Sequence, residues 1–82
     1  MNDRVAVRVR LVFPDRLVTE PIIARLAREH DVEPNIRRAS VEEHSGWVVC
    51  ELAGRAAAVE AATRWLAETG VEVELLGDVV EG

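Results

Sequence analysis

The sequence predicts an α+β fold: a ferredoxin-like βαββαβ sandwich whose four-stranded antiparallel sheet, ordered 4-1-3-2, carries two helices on one face. Three observations predict it. Residues 4–13 and 47–53 alternate apolar and polar side chains with the period of a half-buried strand. Two other segments, around residues 20–30 and 55–69, repeat their apolar residues at helical spacing. The segments follow one another as strand, helix, strand, strand, helix, strand, and right-handed crossovers then leave one hand for the fold.

Each element has its own signal. In the first strand, Val5, Val7, Val9, Leu11 and Phe13 share one side, and Ala6, Arg8, Arg10 and Val12 share the other. The loop "PDRLV" interrupts the alternation; Thr19 is a candidate N-cap, Pro21 suits a first helical turn, and the first helix is expected from Glu20 to His30. "DVEPNIRRASVEE" reads as a second strand with a disturbed register, because Val32 and Ile36 have one parity and Ala39 and Val41 the other. A bulge near Arg37 or Arg38 reconciles them. "HSG" is a turn, and "WVVCELA" returns as a third strand with Val48, Cys50 and Leu52 on the buried side. Gly54 ends that strand, an alanine-rich helix runs from Arg55 to Thr69, and Gly70 is placed to cap it. In the last strand Val71, Val73 and Leu75 are expected inward, Glu72 and Glu74 outward. The domain is expected to span residues 4–77, with 78–82 as a loose tail.

Composition limits the function. The chain has 82 residues, enough for one domain, and its 49% apolar and 30% charged residues are those of a globular protein. A formal net charge of -5 argues against a nucleic-acid partner, and no apolar run is long enough to span a membrane. The N-terminus lacks the pattern of a secretory signal and the chain has a single cysteine, so the expected location is the cytoplasm. Every basic residue is Arg, which removes Schiff-base chemistry on lysine.

No side-chain pattern points to catalysis. Cys50 has the inward parity of a central strand, where a thiol is an inert packing group. His30 and His44 stand at a helix end and in a turn, with no second Cys or His at metal-ligand spacing, so neither a metal nor a cofactor is expected. Asp31, Glu33, Glu42 and Glu43 lack a pocket that would tune them. Phosphate-binding and nucleophile-elbow motifs are absent. RNA-recognition domains of this topology stack bases on strand aromatics; Arg8, Arg10, Val49 and Glu51 occupy those places here. Arg8 and Arg10 instead fall within reach of Glu51, Glu72 and Glu74 as cross-strand ion pairs. Two features remain for binding. Thr19 and Glu20 stand at a helix N-terminus, which offers N–H groups to a small carboxylate. Asn35 either fits the bend after Pro34 or presents an amide to a group needing both donor and acceptor.

"RLVFPDRLVTEPIIARLAREHDVEPNIRRASVEE", "VVCELAG" and "AATRWLAETGVEVELLG" together resemble the NIL domain, a module found at the C-terminus of methionine-importer ATPase subunits, named for an Asn-Ile-Leu stretch and related to ACT amino-acid-sensing domains. The resemblance implies a regulatory rather than enzymatic role. It implies paired domains that bind methionine at or near their interface, with Asn35 matching the family's ligand-contacting Asn and Ile36 setting the packing of the strand. The expected protein is a homodimer that senses methionine or a related sulfur amino acid through Asn35, Ile36, Thr19 and Glu20 and signals to a protein partner. The alternative is a ligand-free interaction or accessory module in sulfur metabolism. Two departures fall near the expected site: Arg37 replaces the Leu of the name, and the hairpin after the second strand is shorter than the family's usual turn and keeps only Gly46.

Overall fold

Strict alternation along the central strands produces a sheet with one apolar face. In the computed structural model, which describes residues 3–79, β1 (Arg4–Phe13) pairs antiparallel with β3 (Gly46–Arg55), matching Val9 with Cys50 and Leu11 with Val48. Val9, Leu11, Cys50 and Leu52 are fully buried, with Phe13 and Val48 beside them. β2 (Glu33–Val41) borders β3 and β4 (Glu72–Asp78) borders β1, both antiparallel, so the order is β2-β3-β1-β4, the predicted arrangement read from its other edge.

Two helices cover the apolar face. α1 (Ile22–Glu29) contributes Ile22 and Leu26 to the core, and α2 (Ala56–Thr69) contributes Val59, Ala62 and Leu66. α2 ends as its sequence implies: Gly70 adopts the left-handed conformation at φ 106, and its N–H donates to the carbonyls of Ala67 and Leu66. α1 starts later than expected. The residue before a proline is disfavoured in helical conformation, so Glu20 stays in a turn, Pro21 is the N-cap, and Thr19 makes no capping bond. The stretch between β1 and α1 is instead anchored by a 3-10 turn (Asp15–Leu17) whose Leu17 is buried.

The bulge in β2 lies where parity demanded it, with a register shift between Ile36 and Arg38. β4 departs from expectation in two ways. Leu75 has the inward parity, opposite Val9, yet on the outer flank of an edge strand it remains 69% exposed. Pairing also continues further than expected: after an irregularity at Leu76, Gly77 and Asp78 face Arg8 and Val7, and the Val79 N–H donates to the Ala6 carbonyl. Of the anticipated tail, residues 80–82 lie outside those described.

Two consequences are measurable. Burial pushes the Cys50 thiol up to about 11, with the Glu51 charge adding to it, so a disulfide reagent near pH 8 should label the native protein slowly and the urea-unfolded protein at once; fast native labelling would contradict the register of β3. Gly70→Ala should lower stability by about 1–2 kcal/mol, because an L-residue is strained in the left-handed region and its Cβ would meet the Arg16 guanidinium. An unchanged urea midpoint would refute that.

Candidate functional site

The second face of the sheet carries the charges. Arg8 lies opposite Glu51 and donates to its carboxylate at 2.7 Å. The β2 bulge places Arg37 on this face as well, 3.9 Å from the same carboxylate, and Arg38 stands opposite Val49. The hydrogen bond from Arg8 holds the Glu51 carboxyl below its ordinary value; partial desolvation opposes this, and the charges of Arg37 and Arg8 reinforce it. Arg10 sits over the Trp47 ring at 5.7 Å from its centroid.

Asn35 belongs to this face. It pairs in register with Glu51, is exposed, and its side chain makes no hydrogen bond among the described residues. Ile36 points the other way: it stands opposite buried Cys50 but, on the edge strand, is 55% exposed. The Asn-Ile pair therefore spans the sheet, one residue on each face.

On the helix side, a cleft of about 190 Å³ opens where the end of β1, the 3-10 turn, the first turn of α1 and the β2–β3 hairpin meet. Phe13, Leu17, Ile23, Val41 and Val48 give it apolar walls, and Glu20 is its charged group. Cavities of about 150 Å³ hold a benzene-sized molecule, so an apolar side chain fits. A contact that the sequence did not disclose joins the hairpin to the 3-10 turn: His44 Nδ1 lies 3.1 Å from Asp15 Oδ1.

The structure thus separates the four residues singled out from the sequence. Glu20 lines the cleft and Thr19 lies in the turn just before it, while neither Asn35 nor Ile36 touches the cleft. The chain from Asn35 to cleft-lining Val41 spans on the order of 20 Å. The cleft is therefore not formed by all four. What the sequence analysis missed is the grouping of Asn35 with Glu51 and Arg37, which depends on cross-strand register and on the bulge. Among the described residues, no group of three or more His, Cys, Asp or Glu side chains is arranged to hold a metal, and no helix is long and apolar enough to cross a membrane.

The Glu51 cluster has a pH signature. A carboxylate whose folded pKa is depressed adds stability that is present above its ordinary pKa of about 4.5 and is lost as pH falls through the folded value. Glu51→Gln should therefore reduce the acid sensitivity of the urea midpoint below that pH, with little change in slope near neutrality. Equal slopes for both proteins would show that the cluster carries no folding linkage.

Comparison with known proteins agrees with the fold. The NIL domain family profile matches residues 7–75. The methionine import ATP-binding protein MetN of Vibrio cholerae serotype O1 is 34% identical over 76 residues, covering 88% of this chain and 22% of that protein, so the chain spans about a fifth of the relative's length. The crystal structure of the C-terminal domain of an ABC transporter/ATP-binding protein from Enterococcus faecalis is similar with a TM-score of 0.76 and 28% identity, over 87% of this chain and 83% of that one. With the profile covering most of the sheet and both helices, the chain belongs to the NIL domain family.

Proposed function

We propose that this chain is a regulatory, non-catalytic module that binds methionine or a related sulfur amino acid as a cytoplasmic homodimer and conveys occupancy to a protein partner. The observation that carries this reading is the setting of Asn35: an exposed amide with no hydrogen-bond partner among the described residues, beside a carboxylate flanked by two guanidinium groups. A free amino acid is a zwitterion. Glu51 suits its ammonium group, Arg37 suits its carboxylate, and the Asn35 amide can donate to one and accept from the other.

Family membership supports the same ligand class, since the Vibrio cholerae relative is named for methionine import. In this proposal Ile36 fixes the strand that presents Asn35. Thr19 and Glu20, beside the cleft on the opposite face, reach the ligand only if a second copy brings them there. The partner is a protein that reads the occupied state; an ATPase subunit of a transporter is the kind of partner that the relatives offer.

Calorimetric titration with methionine, the other proteinogenic amino acids and S-adenosylmethionine tests the proposal. One or two hydrogen bonds to charged groups are worth about 1.5–3 kcal/mol each, so Asn35→Ala should weaken binding by at least about tenfold while leaving the thermal midpoint in place. A lowered midpoint with unchanged affinity would make Asn35 a structural bend residue. If the wild-type protein takes up none of these compounds, the ligand-free interaction module is the better reading.

A further inference from the structure

We infer that the cleft beside Glu20 is a binding site for a small primary amine: a compact apolar body carrying one ammonium group and no carboxylate. The site is complete within one chain and lies apart from the Asn35 face.

Size and lining select the body. The cleft has a volume of about 190 Å³, and since a cavity of about 150 Å³ admits benzene, one ring or a branched chain of similar bulk fits. Phe13, Leu17, Ile22 and Val48 give it a wall that belongs to the buried core. Ile23 and Val41 complete it, and Val41 is left 70% exposed. Apolar surface that stays wet beside a buried wall gains from being covered. The body of an apolar ligand supplies that cover.

Charge selects the head group. Glu20 is the charged residue in the lining, and the chain that builds the cleft, residues 13–24 and 41–48, carries Asp15, Glu20, Glu42 and Glu43 against a single arginine, Arg16. Arg16 is engaged elsewhere: its guanidinium donates to the Thr69 carbonyl at the end of α2. His44 is held between Asp15 at 3.1 Å and Glu43 at 3.9 Å. Glu20 and Glu42 form no ion pair among the described residues. A carboxylate without a counter-charge beside low-dielectric walls attracts a cation, and an ammonium group can donate to it directly. An anionic head group meets the opposite situation. At the start of α1, Pro21 has no N–H and the Ile22 N–H is taken by the Glu20 carbonyl at 2.8 Å, so two donors that a carboxylate would use there are missing.

Calorimetric titration with phenethylamine, its neutral counterpart phenethyl alcohol and the anionic hydrocinnamate tests the inference. Phenethylamine should bind once per chain, the alcohol at least about tenfold more weakly, and hydrocinnamate not measurably. Glu20→Gln should weaken phenethylamine by at least about tenfold and leave the alcohol unchanged. Val41→Trp, at an exposed strand end where a larger ring has room to fill the cleft, should abolish both. Asn35→Ala should leave phenethylamine affinity in place, and methionine should not compete with it. Circular dichroism verifies that each variant is folded. Equal affinity for the amine and hydrocinnamate, or indifference to Glu20→Gln, would overturn the choice of an amine. Uptake that survives Val41→Trp, loss of binding in Asn35→Ala, competition by methionine, or no uptake by the wild-type protein would overturn the site.

Discussion

β1 and β3 pair over ten residues, and nearly every side chain on one of their faces is under a helix. The rest of the molecule depends on that contact. With Val9, Leu11, Cys50 and Leu52 buried under Leu26, Ala62 and Leu66, a one-residue slip of either strand would turn the apolar set toward solvent. The register is therefore fixed at the centre, and the edge strands inherit it. So does the chemistry: when period-two alternation commits one face to packing, the other receives Arg8, Arg10, Glu51 and Trp47 at defined heights.

That dependence explains what was legible in the sequence. The fold could be read because its central strands alternate without interruption and because Gly70 ends α2 where helical spacing stops. The bulge was legible too, from the parity conflict between Ile36 and Ala39. Where a local rule met a competing one, the reading was less accurate. Thr19 has the chemistry of an N-cap, but Pro21 delays the helix past it. Leu75 has inward parity, yet an edge strand has no outer neighbour to help cover it.

The candidate site was less legible than the fold. Asn35 stood out as an unusual residue for a strand, but its neighbours Glu51 and Arg37 come from register and from a bulge, which no window of sequence displays. The cleft beside Glu20 is built from two separate stretches of the chain, residues 13–24 and 41–48, and the His44 contact with Asp15 joins two loops that show no mutual pattern. The two faces thus differ across the thickness of one sheet: an apolar recess on the helix side and a patterned polar plane on the other.

The pairing of Val79 with Ala6 has a consequence for how such a unit can be combined with others. It brings the incoming and outgoing chain side by side at one end of the sheet, next to each other on β1 and β4. A unit with adjoining entry and exit points can be spliced into a loop of a host protein, or appended to its end, without stretching either connection. The recess on the helix side lies at the Phe13 end of β1 and would stay clear of the junction. In modular terms, this is a plug-in domain whose wiring leaves from one corner.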